Sequence, residues 1–337
     1  ASENTDLSVI YSPLNGTGNK PVRHILKMTG IKDVTVVPSQ ELPDGGFPTC
    51  PFPNPEIKEA FNEALKLSQT KKADLLLATD PDCDRVGIAV LHNGEYTLVS
   101  GNDVGCMLTD YILSRKKENG TLSENPVIVK SIVSSDLASV IAEAHGAEMK
   151  NVLTGFKYIG EVICNLDAEG KKDNFIMGFE ESYGYLIGDH ARDKDAVAAS
   201  LMICEMTAYY KSIGKTLYDV LNELYEEFGF YCNKLLSFTF EGADGMAKMA
   251  EIMADTAANT PKEIAGYKVL QAYNYNTSTV TDMESGAVSA LTLPKANVLA
   301  FGLPDGKFAI IRPSGTEPKI KIYLQRLRQL QIKLAKV

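Results

Sequence analysis

The stretch Leu75-Leu-Leu-Ala-Thr79-Asp80-Pro-Asp82-Cys-Asp84-Arg85-Val-Gly-Ile-Ala-Val90 sets a polar loop between two apolar, strand-like runs. Carboxylates occupy every second position of that loop, and an arginine follows the third. Three such groups converging in one turn disfavour each other's ionised state unless a positive charge lies among them. Hard oxygen donors of this kind suit Mg²⁺, Mn²⁺ or Ca²⁺ rather than zinc. Asp80, Asp82 and Asp84 are therefore the candidate metal ligands. A calcium EF-hand is excluded, because the sixth loop position is Arg85 instead of glycine and the twelfth is Leu91 instead of glutamate. Pro81 holds Asp80 in extended geometry, which suits a strand end. The competing reading is a solvated acidic turn, and the apolar strands on both sides favour the metal.

Working outward, the pattern on either side is that of an α/β protein. Residues 7–11 read as a short buried strand, followed by the glycine-bearing turn Pro13-Leu-Asn15-Gly16-Thr17-Gly18 and a helix over 22–28. That turn fits neither nucleotide fingerprint, since Pro21 stands where the dinucleotide motif needs glycine and no Gly-Lys-Ser/Thr occurs. It is expected to be a plain turn packed near the site. Residues 33–37 form a second strand, and a proline-rich loop over 43–55 ends with Asn54 capping a helix that begins at Pro55. Beyond the carboxylate loop, residues 86–91 and 96–99 read as a hairpin across Asn93-Gly94.

From Asn102 the alternation resumes: helix to 117, strand 127–133, helix 136–145, strand 147–152, a turn at Thr154-Gly155-Phe156-Lys157, helix to 166 and strand 175–179. A loop over 180–193 and a long helix through 210 follow. A helix over 215–227 leads to strands near 235–240, 267–272, 298–301, 308–311 and 320–324 around a helix over 245–258. The expectation is α/β: two consecutive α/β three-layer domains followed by a smaller α+β domain, with boundaries at 1–99, 100–227 and 228–337.

At 337 residues, with 45% hydrophobic and 23% charged side chains, the composition is that of a soluble globular protein of two or three domains. A net charge of −9 argues against nucleic acid and anionic membrane as partners. No apolar run reaches transmembrane length and no leader opens the chain. The six cysteines are scattered without a CxxC pair, as free thiols of a reducing compartment are, so a cytoplasmic location is expected. The chain opens at Ala1 without methionine, which reads as a piece of something longer.

Two further loops carry chemistry. Arg312-Pro-Ser314-Gly315-Thr316-Glu-Pro-Lys319 combines a guanidinium, hydroxyls, a lysine and a glycine that lets backbone N–H groups converge, a set suited to phosphate. An ordinary turn with an exposed ion pair is its bland reading. Gly178-Phe-Glu180-Glu181-Ser182-Tyr-Gly184 offers carboxylates and a hydroxyl to a sugar, although Glu181 could equally form a surface pair with Arg192 or Lys194. Taken singly, Lys157 reads as a solvated lysine and His190 as a structural hydrogen-bonder.

Together, Thr79-Asp-Pro-Asp-Cys-Asp-Arg85, Thr154-Gly-Phe-Lys157, Gly178-Phe-Glu-Glu-Ser-Tyr-Gly184, Asp189-His-Ala-Arg-Asp-Lys-Asp195 and Arg312-Pro-Ser-Gly-Thr-Glu-Pro318 resemble the phosphoglucomutase/phosphomannomutase family of alpha-D-phosphohexomutases. The resemblance implies Mg²⁺ on Asp80, Asp82 and Asp84, and Arg85 and Lys157 as catalytic groups near the transferring phosphoryl. It gives Glu180 and Ser182 to the sugar hydroxyls, and Arg312, Ser314, Gly315 and Thr316 to the phosphate that is not being transferred. His190, Arg192 and Lys194 would line the same cleft. It implies phosphosugar substrates and a glucose 1,6-bisphosphate intermediate. The match covers the family's second, third and fourth domains; no Ser-His-Asn of a phosphoserine loop occurs, so the partner expected is the N-terminal domain of the same protein. Phe179 and Tyr183 resemble the glucose-directed branch, with phosphomannomutase or phosphopentomutase as alternatives. An aspartyl-phosphate phosphatase expects Thr or Val where Asp84 stands, and a phosphosugar-binding module without catalysis is the remaining rival.

Overall fold

The apolar run at 75–79 becomes the middle strand of a five-stranded sheet, buried along its whole length. A strand covered on both faces needs such a continuous run rather than alternation. A computed structural model describes residues 6–241, 244–314 and 318–328, and the chain falls into two compact units, 1–228 and 229–337.

In the first unit the order is β1 (Ser8–Ser12), α1 (Asn19–Met28), β2 (Asp33–Val36), α2 (Asn62–Ser68), β3 (Leu75–Thr79), β4 (Val86–His92) and β5 (Glu95–Val99). They assemble as β2-β1-β3-β4-β5, the first three strands parallel and the last two antiparallel. Ile10, Leu76, Ala78 and Ala89 pack on Ala60, Phe61 and Ala64. The chain continues with α3 (Gly101–Glu118), β6 (Val127–Ser131), α4 (Leu137–Ala144), β7 (Glu148–Val152), α5 (Phe156–Ala168), β8 (Phe175–Glu180), β9 (Gly184–Ile187), α6 (Ala196–Ser212) and α7 (Leu217–Phe228). This second sheet runs β7-β6-β8-β9, again parallel until its last strand turns back. Val129, Phe156, Ile159, Ile163 and Leu186 fill one of its faces, and α3 lies against β8.

The second unit is sheet-rich. It comprises β10 (Phe230–Thr239), α8 (Gly245–Ala258), β11 (Glu263–Ile264), β12 (Tyr267–Lys268), β13 (Gln271–Asn274), β14 (Thr279–Asp282), β15 (Val288–Ala290), β16 (Leu299–Gly302), β17 (Phe308–Pro313) and β18 (Lys319–Arg328). Seven of these strands form one antiparallel sheet, β10-β18-β17-β16-β13-β14-β15. Met253 of α8 packs on Leu299, Phe301 and Ala309. Among the described residues no helix is long and apolar enough to cross a membrane.

The mixed α/β class with a sheet-rich end is as the sequence predicts, and so is the Asn93-Gly94 turn, where both residues have positive φ, 50° and 87°. Three local expectations are corrected. Asn54 does not cap a helix: its side-chain oxygen accepts from the Glu56 N–H at 3.0 Å, and α2 starts only after a 3₁₀ turn over Lys58–Phe61. Residues 180–193 are not all loop, because β9 lies within them. Finally, β6 stops at Ser131, and the serine-rich segment after it serves a purpose described below.

Candidate functional site

The carboxylate loop is the reversal between β3 and β4, closed by the Thr79–Val86 pair. Asp80 organises it from inside. Its Oδ1 accepts from the backbone N–H of Asp84 at 3.1 Å and of Arg85 at 2.9 Å, and its carbonyl accepts from Cys83 N–H at 3.0 Å. Cys83 makes the sharp bend at φ 62°. Burial, chiefly, pushes its thiol up to about 12, against the lowering effect of a hydrogen bond with Thr79. The 13–18 turn is the loop's floor. The Thr17 N–H and hydroxyl both donate to the Pro81 carbonyl, at 2.8 and 3.0 Å, and a Cβ on Gly16 would fall 2.3 Å from Pro81 Cα.

One ligand atom from each of Asp80, Asp82 and Asp84 lies within 4.8 Å of the others, Asp80 buried and Asp82 exposed. Burial first, then the charges of Asp84 and Asp82, raise the Asp80 carboxyl to about 7, against the opposing hydrogen bond from Arg85 N–H. Arg85 does not neutralise the cluster by direct hydrogen bonds: its Nε stands 3.6 Å from Asp84 Oδ1 and 3.8 Å from Asp80 Oδ2. Asp84 Oδ1 and Arg85 Nε are both buried without a hydrogen-bond partner. An orphaned carboxylate oxygen among converging oxygen donors fits a hard divalent cation such as Mg²⁺.

The second hairpin, β8 to β9, abuts this loop through the backbone. Arg85 and Gly184 form an isolated antiparallel bridge, Val86 N–H donates to Tyr183 O at 3.0 Å, and Ala196 N–H donates to Cys83 O at 3.2 Å. The hairpin presents Glu180, Glu181 and Ser182 differently. Glu180, 6% exposed, accepts from Gly155 N–H at 2.6 Å, which ties it to the turn bearing Lys157. Glu181 points inward and accepts from the hydroxyls of Ser131 at 3.1 Å and Ser134 at 3.4 Å, while its N–H donates to Ser134 Oγ at 3.0 Å. The surface pair of Glu181 with Arg192 or Lys194 does not form. Ser182 is half-buried in the turn itself.

Lys194 reaches the carboxylate loop, with Nζ 2.8 Å from Asp84 Oδ2. Lys157 is exposed at the start of α5, its Nζ 4.9 Å from the Tyr158 ring centre. His190 Nε2 lies 2.8 Å from Asp195 Oδ2, and Asp195 caps α6 through the N–H groups of Val197 and Ala198. Arg192 donates to the carbonyls of Asp189 at 2.7 Å and Ala191 at 2.9 Å, and its Nη2 lies 3.8 Å from Asp167 Oδ2 of α5. In the second unit, Arg312 lies one residue before the end of β17 with its Nη1 3.5 Å from Tyr323 OH, and Ser314 N–H donates to Lys319 O at 2.7 Å. Gly315 and Thr316 lie outside the described residues.

Sequence reasoning missed the support beneath the hairpin. Lys130, only 1% exposed at the centre of the second sheet, donates to Ser134 O at 3.2 Å and Asp136 Oδ1 at 2.8 Å. Asn102 Oδ1 accepts from Ser135 N–H at 2.7 Å. The available signal was Ser131-Ile-Val-Ser-Ser-Asp136 directly after an apolar strand, a place where α/β sheets keep functional loops.

Models of the phosphoglucomutase/phosphomannomutase family match this chain twice, its alpha/beta/alpha domain II over residues 1–94 and its domain III over 100–228. The chain belongs to that family. A phosphoglucomutase of Staphylococcus epidermidis is 40% identical over 321 residues, 95% of this chain. That alignment spans 57% of the relative, so the chain corresponds to little more than half its length. The solved structure of parafusin, a phosphoglucomutase from Paramecium, superposes with a TM-score of 0.65 at 21% identity, covering 98% of this chain and 55% of that one. The N-acetylphosphoglucosamine mutase of Aspergillus fumigatus, solved with GlcNAc-6P and magnesium, gives 0.53 at 14% identity over 96% and 63%. The family's shared fold thus extends across both units.

Proposed function

We propose that this chain supplies the metal-binding, sugar-recognising and phosphate-gripping parts of a phosphoglucomutase, an isomerase of carbohydrate metabolism that interconverts glucose 1-phosphate and glucose 6-phosphate through glucose 1,6-bisphosphate. The observation that carries this reading is the backbone junction between the three-carboxylate loop and the Glu180–Gly184 hairpin, which brings the residues read as cation ligands alongside those read as sugar contacts. In the proposed organisation, residues 1–99 hold the metal ligands, 100–227 the sugar contacts and 228–337 the grip on the second phosphate.

A serine phosphate from the N-terminal domain of the same protein would give its phosphoryl group to the free sugar hydroxyl, breaking the serine O–P bond and forming a sugar O–P bond. After the bisphosphate reorients, its other phosphoryl group returns to the serine. Mg²⁺ held by Asp80, Asp82 and Asp84 would offset the charge that develops on the moving group. The Arg85 guanidinium, 36% exposed and set 3.5 Å from Glu56, 3.6 Å from Asp84 and 3.8 Å from Asp80, would meet a phosphoryl oxygen with its exposed nitrogens. Glu180 and Ser182 orient the sugar hydroxyls, and Glu180 is itself held by Gly155 N–H, so the acceptor does not swing. Lys157, His190, Arg192 and Lys194 add positive charge around the anion. Arg312 and Ser314, with Gly315 and Thr316, offer donors to the phosphate not in transfer. The setting proposed is the cytoplasm, with neither nucleic acid nor membrane as partner.

Calorimetry with glucose 1,6-bisphosphate and Mg²⁺, beside a coupled glucose 6-phosphate assay, tests this. The expected result is binding without turnover by the chain alone. Mg²⁺-dependent isomerisation by the purified chain would overturn the external serine, and absence of any phosphosugar binding would overturn the site.

A further inference from the structure

We propose that Lys194 is a built-in competitor for the divalent cation: its ammonium satisfies Asp84 when the three-carboxylate loop is metal-free, and cation binding drives it off onto Asp193. This rests on reading Asp80, Asp82 and Asp84 as the metal ligands.

Lys194 Nζ lies 2.8 Å from Asp84 Oδ2 and 3.1 Å from Asp193 Oδ1, so two carboxylates already share it. It is not a loose surface lysine. Its side chain is 14% exposed against 73% for Asp193, and its stem lies so close over Gly184 that a Cβ there would fall 2.2 Å from Lys194 Cδ. The ammonium stands 5.6 Å from the centre of the Phe156 ring. Exposed ion pairs hold weakly, whereas a packed one keeps its charge in place.

Asp84 is thus divided. One oxygen faces Lys194, and the other is buried without a hydrogen-bond partner. A cation that takes Asp84 as a ligand meets the ammonium at close range, where two positive charges repel strongly in a partly desolvated setting. The contest favours the ion, because it carries twice the charge and draws on three carboxylates while Lys194 engages one of them. The backbone need not follow: Asp195 caps α6, and Ala196 N–H is bonded to Cys83 O at 3.2 Å. Rotation within the lysine side chain leaves the ammonium to Asp193 alone, where it remains beside the loop and available to an anion.

The test is calorimetric titration of the metal-stripped chain with Mg²⁺ and, separately, Mn²⁺, comparing wild type with Lys194→Met. Removing the competing charge should tighten binding at least about fivefold. Equal or weaker binding by the variant overturns the competition while leaving the metal site standing. If neither protein takes up either ion, the metal-site reading falls and the competition with it. A second measurement needs no variant: amine acetylation of Lys194 in the wild type, followed by mass spectrometry, should speed up at least about threefold on adding Mg²⁺ if the half-buried pair opens. An unchanged or slower rate overturns the proposal.

Discussion

Both sheets of the first unit contain the same change of direction, a parallel strand turning back into an antiparallel partner, and each reversal carries acidic residues. Between β3 and β4 the carboxylates converge: three ligand atoms within 4.8 Å, with one oxygen of Asp84 unpartnered. Between β8 and β9 they diverge. Glu180 is assigned to Gly155 N–H and Glu181 to Ser131 and Ser134. The difference teaches what distinguishes a candidate cation site from a reversal whose acidic groups are held in place by internal donors. In one reversal Asp84 keeps a buried oxygen that receives no hydrogen bond, and in the other both glutamates accept internal hydrogen bonds.

The largest effect should separate the two reversals outright. Asp84→Asn is expected to weaken Mg²⁺ more than about a hundredfold by calorimetry, beyond the 10–100-fold typical of losing a supporting partner. Glu181→Ala should leave Mg²⁺ affinity nearly unchanged. Next, Glu181→Ala removes a charged acceptor from the Ser131 and Ser134 hydroxyls, which keep each other at 2.9 Å, and should cost about 1–3 kcal/mol of stability in urea unfolding. A loss no greater than that of an ordinary surface change would erase the contrast. Third, Asp82→Asn should change sign with conditions. Asp82 is exposed and adds to the repulsion that raises Asp80. In EDTA the variant should gain from a few tenths to about 1 kcal/mol by relieving that repulsion; in saturating Mg²⁺ it should melt below wild type, having lost a ligand. The smallest effect is Ser182→Ala, which should stay within about 0.5 kcal/mol of wild type in stability while weakening phosphosugar binding.

The converging reversal was legible in the sequence for the same reason that makes it a candidate metal site. Alternating aspartates between apolar strands violate ordinary charge spacing, and the violation shows without coordinates. The diverging reversal was only half legible. Glu180, Glu181 and Ser182 could be picked out as polar groups after a strand, but which carboxylate turns inward depends on Ser131 and Ser134, some fifty residues earlier in the chain. Lys130 escaped because a lysine in a strand reads as the exposed position of an alternating pattern, whereas here a local carbonyl and Asp136 compensate its burial. β9 escaped because Tyr185-Leu-Ile187 is too short a run to outweigh the glycines and charges around it. At Asn54-Pro55 the helix-start signal was present, but the Asn54 side chain closes a tight turn on Glu56 instead.

The bridge between Arg85 and Gly184 also constrains how the molecule can move. Because it fuses the two reversals through main-chain hydrogen bonds, the first two sheets cannot hinge against each other at this point without breaking the loop that holds the carboxylates. In the reaction proposed above, the turning of the bisphosphate would therefore take no room from movement at this junction, and the spacing of Asp84 and Glu180 acts as a fixed ruler.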